Sequence, residues 1–371
     1  MNPNFNILIC FGTRPEAIKM APLCLALKQT KIKFKVCVTA QHREMLDQIL
    51  DFFEIKPDYD LDLMLPQQSL NNLSSRIISA VDAVLEIEKP NLVLVHGDTT
   101  TSTMVALAAF HRNIKIGHVE AGLRTFNKNS PFPEEINRQI TGRLADIHFA
   151  PSLLAKQNLV QEKVAEGNII ITGNTVIDAL LWAKQKIATG FKHPLIEVLK
   201  SKINFNKKII LVTGHRRENF GDGFQNLCNA LLQISKRDDV QIVYPVHLNP
   251  NVQKPVYDLL SANENIHLIN PVDYPVMIWL MQESYLIITD SGGIQEEAPS
   301  LAKFTLITRS TSERQEGIDK GFAKLVGTDY DLICNEANNI LDNPYQLDAT
   351  LNPYGKGDAS LKIIEYIENN L

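Results

Sequence analysis

In Ile7-Leu8-Ile9-Cys10-Phe11-Gly12-Thr13-Arg14-Pro15-Glu16-Ala17-Ile18-Lys19 the pattern of the chain changes at a single residue. Five consecutive apolar residues suit a strand buried on both faces. Gly12 permits a sharp turn, and Pro15 suits the first helical position, where its missing N–H costs nothing. A buried strand running directly into a helix is the opening of an α/β unit, and the helix reads as 15–28.

Outward from that stretch the alternation repeats. Segments 34–38, 92–95, 114–119, 147–149 and 169–171 read as further strands, with helices over 43–53, 70–87, 102–112, 134–144 and 152–162. The pattern restarts with strands at 208–213, 241–246, 267–269, 286–289 and 304–308. The helices of this second set read as 223–235, 251–261, 276–282, 292–301 and 331–341. Regular alternation implies parallel sheets covered by helices on both faces. The expectation is two Rossmann-like doubly wound domains facing a central cleft. The first spans 1–175, with 358–371 as a helix returning to it, and the second spans 176–357. The polar stretch 188–205, containing Gly190 and Pro194, reads as a boundary region.

Composition narrows the function. The 371 residues are 44% hydrophobic and 21% charged with a formal net charge of -5, so neither nucleic acid nor an anionic membrane surface is the expected partner. No apolar run approaches the roughly 20 residues of a membrane span, and no signal peptide is read at the start. Five scattered cysteines fit a reducing, cytoplasmic setting. The nine histidines lack metal-ligand spacing. Neither GxGxxG nor GxxxxGK[ST] follows any strand, which disfavours NAD and a P-loop site. No metal and no cofactor are expected.

Polar residues collect where strands give way to helices, the place at which such sheets bind ligands. After the first strand, Arg14, Lys19 and the helix's free N–H groups can hold a phosphate or carboxylate; a capped helix with a solvated arginine explains the segment equally well. After the third, Asp98 precedes a run of hydroxyls and is also an acceptable N-cap. Glu120 ends the next strand, and Glu134 and Glu135 open a helix, where Glu135 reads as a structural complement to the helix dipole. Carboxylates from three loops, Asp98, Glu120 and Glu134, aimed at one rim suit proton transfer. In the second half, His215 and two arginines follow a strand. Ser291-Gly292-Gly293 leaves backbone N–H groups open to a diphosphate, Glu297 is placed to accept from ribose hydroxyls, and Arg314 adds a cation.

The segments GTRPEAIKMAPL (12–23), HGDTTTS (96–102), HVEAGLRT (118–125), PFPEEINR (131–138), TGHRREN (213–219), YPVHLNPNV (244–252) and DSGGIQEEAPSL (290–301) resemble the successive motifs of the non-hydrolysing UDP-N-acetylglucosamine (UDP-GlcNAc) 2-epimerases. They appear in family order across essentially the whole chain. The resemblance implies the GT-B architecture, a homodimer, and a reaction through UDP and a 2-acetamidoglucal. It also implies site roles. Asp98, Glu120 and Glu134 are acid/base candidates, with His215 near the diphosphate. Arg14 and Lys19 contact the nucleotide sugar, while Ser291, Gly292, Gly293, Glu297 and Arg314 hold UDP. Gln41, His42 and Arg43 correspond to a segment that binds an activating second UDP-GlcNAc in some relatives. Val272 and Gln315 depart from the family pattern, at a base contact and in a loop respectively.

The chemistry agrees with the resemblance. C2 of an N-acetylhexosamine has no adjacent carbonyl, so inversion there needs either transient oxidation or elimination of the anomeric nucleotide. The missing dinucleotide fingerprint favours elimination. The alternatives are a hydrolysing epimerase, a GT-B glycosyltransferase and a non-catalytic UDP-sugar-binding regulator.

Overall fold

The structure is a computed structural model that describes residues 5–40, 43–65 and 68–371. The chain divides into two compact units, Met1–Ala179 with Tyr354–Leu371, and Leu180–Pro353.

The first unit holds strands β1 (Asn6–Phe11), β2 (Lys33–Val38), β3 (Tyr59–Asp60), β4 (Leu92–His96), β5 (Lys115–Val119), β6 (Ile147–Ala150) and β7 (Ile169–Ile171). Between them run α1 (Arg14–Leu27), α2 (Arg43–Phe52), α3 (Leu70–Glu88), α4 (Thr100–His111), α5 (Glu134–Leu144) and α6 (Leu153–Gln161). The strands form one parallel sheet in the order β3-β2-β1-β4-β5-β6-β7. Its central strands β1 and β4 are buried on both faces, as their unbroken apolar runs require; Ile7 to Phe11 and Leu92 to Val95 are all fully buried. On α3, Leu73, Ile77, Val81, Val84 and Leu85 recur at three- and four-residue spacing and pack on this core.

Helix α7 (Thr175–Ala188) begins in the first unit and ends in the second. There, α8 (Pro194–Lys202) occupies the polar stretch read as a boundary: His193 caps it through Leu195 N–H at 3.2 Å, and only Ile196 and Leu199 are buried, too few for a clear periodic signal. The strands β8 (Lys208–Thr213), β9 (Val240–Pro245), β10 (Ile266–Ile269), β11 (Leu286–Thr289), β12 (Phe304–Ile307) and β13 (Ala323–Leu325) form a second parallel sheet, ordered β10-β9-β8-β11-β12-β13. The accompanying helices are α9 (Asp222–Ile234), α10 (Pro250–Leu260), α11 (Tyr274–Glu283), α12 (Gly292–Glu297), α13 (Gln315–Asp319) and α14 (Tyr330–Asp342). Where one helix was expected over 292–301, α12 stops at Glu297 and a 3₁₀ turn, Ala298–Leu301, replaces its end, with Pro299 removing an amide donor.

Helix α15 (Ala359–Asn370) belongs to the first unit and packs on α1. The Asp178 carboxylate of α7 accepts from the first amides of α15, Ala359 N–H at 3.2 Å and Ser360 N–H at 2.8 Å.

Both sheets are therefore doubly wound. Strand order reverses between β1 and β4 in the first unit and between β8 and β11 in the second. These are the crevices where open α/β sheets bind ligands.

Candidate active site

At the first reversal point, Gly12 ends β1 against Thr39 and Thr101. A Cβ on Gly12 would lie 2.0 Å from the Thr39 hydroxyl oxygen and 2.5 Å from that of Thr101, so the turn excludes any side chain there. Helix α1 starts at Arg14, one residue earlier than expected, which puts Pro15 second, where the amide is also unneeded. Half-buried Arg14 stands in this first turn. Glu16, third in the helix, reaches back to the Thr13 amide at 2.8 Å.

The loop after β4 carries Asp98. The cap of α4 is its neighbour Thr99, whose hydroxyl oxygen accepts from Ser102 N–H at 3.0 Å. The Asp98 carboxylate is instead ion-paired with the Arg138 guanidinium of α5. Arg138 also lies 3.2 Å from Glu135. Burial disfavours the Arg138 charge, yet the carboxylates of Asp98, Glu135 and Glu120 together outweigh it and hold the guanidinium above its ordinary value. Glu135 is fully buried and accepts from Thr125 N–H (3.0 Å), Phe126 N–H (3.1 Å) and Gln139 Nε2 (2.8 Å). That is a loop-fastening role, in line with the sequence reading. Glu134, first in α5, has a buried Oε2 with no hydrogen-bond partner among the described residues.

Glu120 follows β5 with φ of +62°, a left-handed conformation that costs a non-glycine residue about 1–2 kcal/mol. Its carboxylate is ion-paired with Lys19 and accepts from Asn174 Nδ2 at 2.9 Å. On its other oxygen, His96 Nε2 lies 3.4 Å away. Burial drives the His96 imidazolium down to about 4 despite the Glu120 charge, so this ring is neutral at pH 7. Asp98, Glu120, Lys19, His96 and Arg138 thus form one electrostatic cluster at the ends of β4 and β5. Behind it, His118 Nε2–H donates to Gly97 O at 2.7 Å, supporting the turn before Asp98. Arg124, four residues beyond Glu120, makes a bidentate pair with Glu162 at 2.6 and 2.9 Å.

The second unit supplies a different set. Asp290, fully buried at the end of β11, accepts from His215 N–H (2.8 Å) and Arg216 N–H (2.9 Å) at the end of β8. Its other oxygen lies 3.1 Å from His215 Nδ1. Burial pushes the Asp290 carboxyl up, but His215 and these amides together bring it below its usual range. The half-exposed His215 ring stacks on His247, centroids 5.7 Å apart. Ser291 N–H donates to the Thr289 hydroxyl at 2.9 Å.

The two glycines that follow serve different ends. A Cβ on Gly292 would lie 2.7 Å from the Arg314 guanidinium carbon, whereas on Gly293 the nearest atom would be 4.0 Å away. Gly292 therefore makes room for Arg314, and Gly293 leaves open space. Arg314 is held by Glu296 (3.0 and 2.9 Å) and Glu313 (3.2 Å). Glu297 is buried, and its Oε1 accepts from Tyr274 O–H at 3.2 Å.

With that geometry in view, similarity to known proteins is decisive. A family model described as UDP-N-acetylglucosamine 2-epimerase matches residues 25–368. The chain belongs to the UDP-N-acetylglucosamine 2-epimerase family. It is 54% identical to the UDP-N-acetylglucosamine 2-epimerase of Campylobacter jejuni, covering 97% of both chains. With that of Escherichia coli K12 the identity is 52%, over 98% of both. The crystal structure of the Neisseria meningitidis UDP-GlcNAc 2-epimerase bound to UDP-GlcNAc superposes with a TM-score of 0.88 at 48% identity, over 99% of this chain and 100% of the other. The glycotransferase of kitacinnamycin shares the fold, with a TM-score of 0.65 at 11% identity. Membership of the UDP-GlcNAc 2-epimerase family bears out the resemblance read from the motifs, makes the chain an isomerase, and agrees with the two doubly wound sheets.

Several members of these clusters had not been singled out in the sequence. Arg138 lies within a quoted segment, four residues after Glu134, a helical spacing that could have revealed it. Glu16 looks like any acidic residue in a first turn. His96, Asn174 and Asp290 become site residues only once the sheet brings their strands side by side. Arg43 is exposed and engaged with Asp47 (3.1 Å) and Asp60 (2.7 Å), while Gln41 and His42 lie outside the described residues.

Proposed function

We propose that this chain interconverts UDP-GlcNAc and UDP-N-acetylmannosamine without hydrolysis, by elimination and re-addition of UDP. A carboxylate of the first unit removes the C2 proton as UDP leaves C1, giving a 2-acetamidoglucal. A protonated group returns a proton to the opposite face of C2, and UDP adds back. Asp98 and Glu134 are the proton-handling pair, each such group contributing about 10²–10⁴-fold. Glu120, held by Lys19, Asn174 and neutral His96, positions the sugar and tunes the pair. Arg14 and Lys19 bind the nucleotide sugar.

In the second unit, the Ser291–Gly293 turn, Glu297 and Arg314 hold UDP, and His215, oriented by Asp290, steadies charge growing on the diphosphate. No metal or nicotinamide enters this scheme.

The observation that carries the reading is the pairing of opposite needs in the first unit. Asp98 and Glu120 are each paired with a cation, Arg138 and Lys19, while Glu134 keeps a buried oxygen with no partner among the described residues. Two carboxyl groups in such different surroundings are what an acid and a base require.

Incubation with UDP-GlcNAc alone in D₂O, followed by NMR, tests the proposal. UDP-N-acetylmannosamine should appear with deuterium at C2 of both nucleotide sugars. Release of free N-acetylmannosamine would show hydrolysis, and turnover without exchange at C2 would exclude elimination. The proposed assembly is a cytoplasmic homodimer; five free, buried cysteines fit a reducing setting, and light scattering should give about twice the 41.7 kDa chain mass.

A further inference from the structure

In each doubly wound sheet a buried carboxylate spans the reversal point. In the second unit it is Asp290. In the first it is Glu16, only 1% exposed, whose contacts go beyond helix capping. Its Oε2 accepts from Gly12 N–H (3.0 Å), Thr13 N–H (2.8 Å) and the Thr13 hydroxyl (2.8 Å), all after β1. Its Oε1 accepts from the Thr99 hydroxyl at 2.7 Å, after β4. Thr13 precedes Arg14, and Thr99 follows Asp98.

We infer that Glu16 is a positioning residue of the reaction, acting through the Thr99 hydroxyl to hold the Asp98 turn in register with the turn that carries Arg14. The inference rests on Asp98 handling a proton in the proposed reaction.

Capping alone does not account for this arrangement. A residue third in a helix completes its cap with one oxygen at the surface. Glu16 is buried, all four of its bonds come from neutral donors, and its second oxygen goes to another loop. Such burial is expensive, and it raises the Glu16 carboxyl to about 7 despite these hydrogen bonds. The link also has a direction. The Thr99 oxygen already accepts from Ser102 N–H, so its proton is free to point at Glu16. Glutamine in place of Glu16 can serve the three donors on one side only by turning its NH₂ toward Thr99. The length is kept and the polarity of the link is reversed.

The test uses the full chain with Glu16→Gln, Thr99→Val, Thr99→Ser and the double variant Glu16→Gln/Thr99→Val. The readouts are kcat and KM for UDP-GlcNAc, with UDP-binding stoichiometry counting folded molecules. Glu16→Gln and Thr99→Val should each lower kcat about 10- to 100-fold, the range expected when a reacting group is displaced by up to an ångström. KM should stay within about twofold, and Thr99→Ser should keep wild-type kcat. Because both residues act through one link, the double variant should be no slower than the slower single variant.

Near-normal kcat in Thr99→Val, loss in Thr99→Ser equal to that in Thr99→Val, or multiplied losses in the double variant would each overturn the inference. Should Glu16→Gln not fold, the valine and serine variants decide alone. Wild-type exchange at C2 separates the two levels: without it the proposed reaction falls and this inference with it, whereas exchange alongside unaffected variants removes only the role of Glu16.

Discussion

Asp98 and Glu134 differ in surroundings, and their variants should differ from binding mutants in kinetics. Asp98→Asn and Glu134→Gln are expected to lower kcat by at least about 100-fold while UDP affinity, measured by calorimetry, stays within about threefold. Arg138→Met leaves Asp98 without its cation and Glu135 without one of its partners. It should cut kcat comparably, with only partial recovery in Arg138→Lys, because a lysine cannot serve both carboxylates with a planar fork. Asp98 and Glu120 were legible from the sequence because carboxylates at successive strand ends are conspicuous, and Glu134 because it opens a helix. Their partners were not. Lys19 meets Glu120 across 101 positions and Asn174 meets it across 54, distances at which side-chain pairing has no local signature.

Strands and helices were legible where an apolar period ran long enough. Predicted and observed limits of β1, β7, β8, β11 and α5 agree within a residue, and both reversal points follow from strand order once the sheets assemble. Short elements escaped: β3 has two residues, and β13 has three of which none is fully buried. Helix α4 begins two residues before its expected start because the cap is Thr99, one of several hydroxyls able to fill that position. The turns are less tolerant than the elements they join. Gly12→Ala places a methyl inside hydrogen-bonding distance of two buried hydroxyls, so a loss of stability of about 1–3 kcal/mol is expected in urea titration, together with loss of turnover. Gly292→Ala displaces the Arg314 guanidinium instead, and should weaken UDP binding about tenfold with a much smaller change in stability.

Stability of the whole chain should carry a clear pH signature. His96, His118 and His148 are buried and held neutral, chiefly by desolvation, with values near 4, 3 and 4. The unfolded chain takes up protons at these histidines below its ordinary 6.5, while the folded chain does so only near 3–4. Each therefore removes stability as pH falls through that window, roughly 1 kcal/mol per pH unit. Glu16 has the opposite sign, since its folded value of about 7 lies above the unfolded 4.5, and it offsets about one histidine across that interval. Urea midpoints should fall between pH 6.5 and 5, and His148→Gln should flatten the slope. Asp178→Ala, which uncaps α15, should cost about 1–2 kcal/mol at either pH.

The return of residues 354–371 to the first unit also imposes an order on biosynthesis. As the nascent chain leaves the ribosome, Leu180–Pro353 emerges as one uninterrupted block able to close its own sheet. The amino-terminal lobe, made first, must wait for Ile363, Ile364 and Ile367 before its last apolar face is covered. The earliest-synthesised half is thus the last to be completed, and a stalled or clipped polypeptide would present that bare face to chaperones and proteases.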